Sequence, residues 1–304
     1  MTTKPDLRVL FPTSFSDACF RTIRAVAQLG DSCDVDLTIA HVAAEGAQSY
    51  ADTQHELQSF FAEADHYSSC RRVLLQGDPV QQISDLARSG RYDLVMIPAS
   101  DRIGLPSFLR SSSRARLLER CRTPLWTIGK SLDNVQFRGR VKTVTCLMDF
   151  DYVDRNHLRL AASFASRLGA TLRVVHVIEP VDEGTLARFC FSSPPLHPDV
   201  AREEIRALFR STPNPPEVEI AVGTGKHELA RLLNGCKSDV MFAGPGHTLR
   251  RMLFAPQLQS YLQKLPCPVI CIDGAAKGFT KWSFEESREE TGIATNVRAQ
   301  GAAV

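Results

Sequence analysis

The sequence lacks the features that would indicate a membrane-bound or secreted protein. No apolar run approaches the roughly 20 residues that a membrane-spanning helix needs, and the opening MTTKPDLRVL contains no apolar stretch typical of a signal peptide. We therefore expect a soluble, cytoplasmic protein with no membrane partner. The 36 Lys and Arg residues nearly balance the 34 Asp and Glu residues, so the net charge gives no indication of a nucleic-acid partner.

The sequence also lacks the spacings of common catalytic and metal sites. Its nine cysteines include no CxxC pair, so we predict reduced, buried thiols and no metal site. GxSxG, HExxH and DxDxDG motifs are absent as well. His41 and His176 occupy equivalent places in the sequence, but we expect them to be packed and hydrogen-bonded to the backbone. We predict no catalytic residues and a protein that is not an enzyme.

The sequence does contain one pattern that occurs in two copies. LRVLFPTSFSD near the start and KTVTCLMDFDY near the middle each lead, through a helix-like stretch, to an apolar segment that ends in His-Val. His41 and His176 lie 135 residues apart, and the same offset aligns Ser14 with Asp149. Further on, GDPVQQISDLARSGRYDLVMIP parallels GTGKHELARLLNGCKSDVMFAG at an offset of 146. We infer a tandem duplication.

Each copy alternates short runs of Val, Ile and Leu with stretches whose apolar residues recur every three or four positions. The runs predict strands buried on both faces, and the stretches predict helices between them. This alternation predicts a Rossmann-like α/β fold with two tandem, doubly wound, five-stranded parallel sheets. In the first copy we place strands at residues 7–12, 35–43, 71–76, 93–98 and 124–128.

These patterns divide the chain into four parts. The first copy spans residues 1–129 and the second copy spans residues 141–274, with a polar linker at 130–140 between them. Residues 275–304 have small side chains, mixed charge and little periodicity, so we predict a poorly ordered C-terminal tail.

The motifs resemble those of the universal stress protein family. FPTSFS after the first strand, HV on the second, GDPVQQI after the third and CPVICI on the last are similar to family motifs. The resemblance implies a fold related to the adenine-nucleotide α-hydrolases, with the two copies packed as an internal pseudo-dimer. It also implies a regulatory role in the stress response, and in some members ATP binding.

The family's ATP signature, G-x2-G-x9-G-[ST] after the fourth strand, is degenerate in the first copy. Glycines let backbone amides approach the phosphates, but here the three glycine positions fall on Pro98, Asp101 and Ser111, with Ser112 at the final position. Ser14 replaces the acidic residue that the family places near the ribose. We expect no ordinary ATP binding in the first copy.

The second copy keeps more of the signature. By resemblance, Asp149 is the ribose-side residue, Val177 borders the adenine, and Ala243, Gly244 and Gly246 begin the phosphate loop. Ala255-Pro256 nevertheless replaces the final Gly-[ST]. We expect any ATP or other adenine nucleotide to bind here; in the alternative, Asp149 caps the following helix and Gly244 forms a tight turn.

Three further hypotheses stay open. The first is a candidate anion site at the start of a helix, formed by Ser111, Ser112, Ser113 and Arg114. In the alternative, these residues only cap the helix. A slowly ATP-hydrolysing nucleotide switch would use Asp149 and the Gly244 loop. A scaffold without a small ligand would bind an acidic protein partner through four arginines: Arg110, Arg114, Arg250 and Arg251. We expect an unknown protein partner and leave a homo-oligomer open.

Overall fold

A computed structural model describes most of the two copies and the segment before the second one. The described residues are 6–43, 50–66, 69–90, 92–98, 116–117, 120–121, 123–127, 139–148, 155–178, 198–210, 215–222, 238–243 and 267–272. Within these ranges, no helix combines the length and the apolar character needed to cross a bilayer.

Within the described residues, the first copy contains five strands, three complete α-helices and a short 3₁₀ helix. In chain order they are β1 (Leu7–Thr13), α1 (Asp17–Gly30), β2 (Val35–Ala43), α2 (Tyr50–Ser59), the 3₁₀ helix (Ala62–His66), β3 (Ser69–Gln76), α3 (Pro79–Gly90), β4 (Leu94–Ile97) and β5 (Leu125–Thr127). Residues 116–117 and 120–121, between β4 and β5, are also helical.

The described strands of the second copy follow in the same order. Its described elements are β6 (Thr143–Met148), α4 (Arg155–Leu168), β7 (Thr171–Ile178), α5 (Pro198–Leu208), β8 (Glu217–Val222), β9 (Val240–Ala243) and β10 (Val269–Cys271). The five strands predicted for the first copy are confirmed, with ends that differ from the prediction by at most two residues. The division of the chain at residues 129, 140 and 274 stays a prediction.

Local sequence explains the helices that flank the first sheet. In α1, Ile23, Val26 and Leu29 recur at spacings of three and are at most 1% exposed, so one stripe of the helix faces the core. Pro79 is the first residue of α3, where its missing N–H has no intrahelical acceptor to lose. Asp78 precedes it, and its carboxylate accepts a hydrogen bond from the backbone N–H of Gln81 at 2.8 Å, which caps the helix.

All ten described strands belong to one sheet, in the order β3-β2-β1-β4-β5-β10-β9-β6-β7-β8. Within each copy the strands are parallel, whereas β5 and β10 pair antiparallel, with Trp126 opposite Ile270. The two five-stranded sheets expected from the sequence are therefore halves of one continuous sheet. This seam between the fifth strands makes the chain an internal pseudo-dimer.

Each face of the sheet carries one core that extends through both copies. On the α1 face, Val9 and Phe11 of β1 pack in the same cluster as Trp126, Val144 and Ile270. On the α3 face, Leu10 packs in a cluster with Ile83, Leu125, Met241 and Val269. Because helices cover both faces, the predicted doubly wound α/β arrangement is confirmed.

A second contact between the copies lies beside the seam. The backbone N–H of Val141 donates to Ser32 Oγ at 3.1 Å, and Arg140 Nε donates to the carbonyl oxygen of Asp31 at 3.1 Å. In the reverse sense, Arg167 at the end of α4 donates to the carbonyl oxygen of Asp6 at 2.5 Å. The segment before the first strand of each copy thus contacts the end of the first helix of the other copy, or the loop after it.

The prediction for the cysteines needs a correction at two positions. The seven described cysteines are free thiols, but only five are buried, since Cys33 and Cys70 are half-buried. Cys70 lies on β3, an outer strand of the sheet, and Cys33 lies in the loop between α1 and β2. Apolar context predicted burial correctly for strands inside the sheet and wrongly for its margin.

Candidate functional site

The carboxyl ends of parallel strands form the natural ligand site of a doubly wound sheet. In the first copy this site lies beside the ends of β1 and β4, which are neighbours although their connections run in opposite directions across the sheet. In the second copy β6 and β9 take the same places. Because β5 and β10 are antiparallel, the strands of the two copies run in opposite directions. The carboxyl ends of the strands, and with them the two sites, therefore lie on opposite sides of the sheet.

In the first copy, Ser14 is turned toward its own loop. Its backbone N–H donates to Cys19 Sγ at 3.3 Å, and its hydroxyl donates to Ser16 Oγ at 3.2 Å. The Ser16 hydroxyl in turn donates to Cys19 Sγ at 3.4 Å. Cys19 is fully buried in the first turn of α1. The polar groups at the position of the family's acidic residue are therefore used to join β1 to α1.

An aromatic cluster closes the ends of β1 and β2 on the α1 face. Phe15 stacks on His41 with ring centroids 4.4 Å apart and an interplanar angle of 21°. The Nδ1–H of His41 donates to the carbonyl oxygen of Thr13 at 2.9 Å, which confirms a packed, backbone-bonded histidine. The rings of Phe15 and Phe60 are in an edge-to-face arrangement, with their centroids 5.8 Å apart. Side chains of the first copy thus occupy this end of the strands.

The backbone at Phe15 is strained. Its φ is +59°, in the left-handed region that costs a residue with a side chain roughly 1–2 kcal/mol. Phe61, beside Phe60, has a φ of +51°, and Arg72 donates to the carbonyl oxygens of both Phe60 and Phe61 at 3.4 and 3.3 Å. Strain of this kind persists where surrounding contacts fix the chain, so the cluster has a defined geometry.

On the α3 face, described residues near the same end of the first copy are buried. Val42, which the offset of 135 aligns with Val177, is 6% exposed and packs with Val80 and Ile83 of α3. Pro98, which the sequence analysis aligned with the first glycine of the ATP signature, directly follows β4 and is buried.

In the second copy, the structure places two of the predicted nucleotide residues. Val177 is in β7 opposite Ala221, and Ala243 is the last residue of β9, 1% exposed. The carbonyl oxygen of Ala243 accepts a hydrogen bond from the backbone N–H of Ile272 at 3.1 Å. Both residues lie near the carboxyl ends of their strands, and their assignment to a nucleotide site stays a prediction.

The remaining predicted site residues lie outside the described residues. They are Asp149, Gly244 and Gly246 of the nucleotide site and Ser111, Ser112, Ser113 and Arg114 of the candidate anion site. Asp149 directly follows β6, and Gly244 directly follows β9. Because β6 and β9 are parallel neighbours, these two residues follow adjacent strands at the same end of the sheet.

One difference between the copies was hidden by the constant offset of 135. The buried positions of α4 follow those of α1 at an offset of 139, with Leu168 in the place of Leu29. His176 and His41 keep the offset of 135 in the paired strands. By the bounds of the helices, six residues (149–154, which include Asp149) connect β6 to α4, where three (14–16) connect β1 to α1, and two residues connect α4 to β7, where four connect α1 to β2.

Sequence patterns also missed a group of buried sulfur-containing and imidazole side chains in the second copy. Cys146, Met148, His157 and His176 lie on the α1 face near the carboxyl ends of β6 and β7, and none is more than 3% exposed. Two of them, Cys146 and Met148, are alternate residues of one strand. That period of two was the available signal, but it was interpreted only as a strand pattern.

Two described thiols have raised pKa values. Burial, reinforced by Asp6 and Asp34 and opposed by Arg167, raises the pKa of Cys33 to about 12. Burial raises the pKa of Cys121 to about 11, although its thiol contacts Ser84 Oγ. Both thiols are protonated at neutral pH, so neither supplies a thiolate nucleophile.

Comparison with known proteins agrees with the duplication. A sequence model of the universal stress protein family matches residues 7–129 and again residues 140–273. No curated protein matches the chain significantly in sequence.

Solved structures are similar in fold over most of the chain. A universal stress protein from Archaeoglobus fulgidus is 16% identical, covering 88% of this chain and 98% of its own, with a TM-score of 0.59. A putative universal stress protein from Pseudomonas aeruginosa is 15% identical, covering 88% and 94%, with a TM-score of 0.51. The cytoplasmic domain of a prokaryotic cation chloride cotransporter is 12% identical, covering 90% and 97%, with a TM-score of 0.53.

At these identities the structures establish the fold and nothing finer. The family model, by contrast, covers most of the chain in two consecutive matches, and these correspond to the two copies joined at β5 and β10. The chain therefore belongs to the universal stress protein family, with two family domains in tandem.

Proposed function

We propose that this chain is a regulatory binding protein, without enzymatic activity, whose two copies have different tasks. The first copy acts as a structural and protein-binding partner, and any adenine nucleotide binds in the second copy. The observation that carries this proposal is the Phe15–His41 stack at 4.4 Å, because it fills the end of the first copy's central strands with the chain's own side chains.

The second copy is the better candidate for three reasons. Asp149 directly follows β6, where the first copy has Ser14. Gly244 directly follows β9, where the first copy has the buried Pro98, which has no N–H to donate to a phosphate. The connection after β6 has six residues, against three in its counterpart in the first copy.

A thermal-shift experiment tests this assignment. ATP with Mg²⁺ at 100 times its dissociation constant stabilises the protein that binds it by about 2.7 kcal/mol. With an unfolding entropy of about 2.1 cal/mol/K per residue, Tm rises by about 4 °C if both copies unfold together, and roughly twice as much if the second unfolds alone.

Variants assign the shift to one copy. Gly244→Leu should abolish it, because a side chain there blocks the approach of phosphates to the backbone, whereas Ser112→Ala should leave it unchanged. A flat response of the unmodified chain to millimolar ATP excludes the nucleotide and leaves protein binding as the function. Phosphate release that Gly244→Leu abolishes would instead support the nucleotide switch and contradict the non-enzymatic assignment.

A further inference from the structure

The group of buried sulfur-containing and imidazole side chains in the second copy includes two sulfur atoms that lie close together. Cys146 Sγ and Met148 Sδ are 4.0 Å apart, and their residues are 0% and 3% exposed. They are alternate residues of β6, so both side chains lie on the α1 face of the sheet. A thiol and a thioether are soft donors that favour Cu(I) over hard cations.

The separation of the two sulfur atoms matches a shared metal ion. Two metal–sulfur bonds of about 2.3 Å, the length known for Zn–S bonds, span about 4.0 Å when they meet at 120°. That is the angle of a three-coordinate, trigonal site. The observed distance of 4.0 Å between the two sulfur atoms is therefore the separation that two bonds to one trigonal ion require.

His176 stands in the position of a third ligand. It is the direct register partner of Met148 on the neighbouring strand β7, its side chain is fully buried, and adjacent strands are only about 4.8 Å apart. A second imidazole lies nearby, because His157 Nε2 donates to the carbonyl oxygen of Leu147, between the two sulfur residues, at 3.2 Å.

The ligand set selects against the commoner metals. Among the described residues, no three His, Cys, Asp or Glu side chains group closely enough to hold a metal ion, so a site at this place depends on the Met148 thioether. Zinc sites in proteins use Cys, His and carboxylates, whereas Met is a ligand for Cu(I).

The first copy shows that the fold does not require these donors. Cys146 and Met148 align with Phe11 and Thr13, while His176 aligns with His41 in the same strand register. Phe11 packs near the Phe60 ring, and the Thr13 carbonyl accepts the His41 hydrogen bond. The same scaffold is thus stable with no sulfur atom at either position.

We propose that Cys146, Met148 and His176 form a Cu(I)-binding site in the second copy. On binding, the Cys146 thiol releases one proton to solvent and its thiolate coordinates the metal, while Met148 and neutral His176 bind without losing a proton. Copper remains Cu(I) throughout, so no oxidant or reductant enters the step. Met148 ends β6 at the carboxyl edge, which places the site near the margin of the sheet.

The test is an anaerobic titration of the reduced full chain with Cu(I) in competition with bicinchoninate, a coloured Cu(I) chelator. The unmodified chain should withdraw one equivalent of copper that Met148→Leu and His176→Gln each hold at least about tenfold more weakly. Met96→Leu is the matched control, because Met96 is a buried methionine on the same face of the first copy, and it should bind copper like the unmodified chain.

Two results of the titration would overturn the proposal. Either the chelator keeps all the copper in the presence of the unmodified chain, or Met148→Leu binds as tightly as Met96→Leu. Copper X-ray absorption of the unmodified, loaded chain gives a reading that does not depend on how the variants fold. It should show two sulfur ligands and one nitrogen, and a shell of sulfur alone or of nitrogen and oxygen alone would refute the assigned ligands.

Discussion

The two copies share a framework but differ at the ends of their strands. Paired strands superimpose in register, so that Thr13 opposite His41 corresponds to Met148 opposite His176. At the carboxyl edge, however, the first copy closes its strands with Phe15, His41 and Phe60, whereas the second copy has Asp149 and a longer connection. The interior of the sheet is constrained by pairing and packing on two faces, and the loops are free to diverge.

The seam between β5 and β10 is where the two copies depend on each other most. Trp126 is fully buried in β5 opposite Ile270 of β10. We expect Trp126→Ala to lower the free energy of unfolding by about 3–5 kcal/mol, since it leaves a large cavity. Because one core includes residues of both copies, urea denaturation followed by circular dichroism should still show a single transition.

A milder change at Trp126 sharpens this result. Among the described residues, its Nε1–H has no hydrogen-bond acceptor, so Trp126→Phe keeps an aromatic ring and removes an unsatisfied donor. It should cost well under half of what Trp126→Ala costs, and Val200→Ala, at a side chain 50% exposed, should cost almost nothing. Two separate transitions in Trp126→Ala would show that the copies fold independently and that the seam is only a contact.

Phe15 offers a test of the closed end of the first copy. Phe15→Ala and Phe15→Gly both remove the ring that stacks on His41, but glycine also relieves the backbone at a φ of +59°. We expect Phe15→Gly to be about 1 kcal/mol more stable than Phe15→Ala, measured by urea denaturation.

The neighbouring Phe20 should show the opposite order. It lies within α1 and is 46% exposed, so Phe20→Gly should be about 0.5–1 kcal/mol less stable than Phe20→Ala. If glycine were worse than alanine at Phe15 as well, the left-handed backbone there would not be a source of strain.

The framework could be predicted from the sequence because its signals are local and repeated. Apolar runs predicted the strands, and the duplication predicted the same order of strands in both halves. The antiparallel pairing of Trp126 with Ile270 could not be derived from periodicity, since strands of either orientation share a period of two. The resemblance to a family implied an internal pseudo-dimer, but not this pairing of strands.

The candidate site was predicted less completely, for a physical reason. The sequence predicted that Ser14 replaces an acidic residue, which stays a prediction, but the bonds of Ser14 to Ser16 and Cys19 depend on how the chain turns after β1. The Phe15–His41 stack joins residues 26 positions apart through the pairing of β1 with β2. Contacts of this kind follow from strand register, which a motif does not encode.

The loops after the first helices differ in chemistry as well as in length. Four residues, Asp31–Asp34, connect α1 to β2, whereas two residues connect α4 to β7, and only the longer loop contains a cysteine. Burial and the carboxylates of Asp6 and Asp34 raise the pKa of this thiol, Cys33, to about 12. The unfolded chain ionises its thiols near 8.5–9.

Stability should therefore fall as the pH rises from about 9 toward 12, because the unfolded chain loses the Cys33 proton and the folded chain retains it. We expect Cys33→Ala to weaken this alkaline dependence, measured as the free energy of unfolding in urea between pH 8 and pH 11. Ser32→Ala is the control: it removes the hydrogen bond to the Val141 N–H and costs about 1 kcal/mol at every pH, but keeps the slope. Equal slopes in Cys33→Ala and the unmodified chain would mean that the folded loop exposes the thiol to solvent, and the contact between the copies would then be looser than its hydrogen bonds indicate.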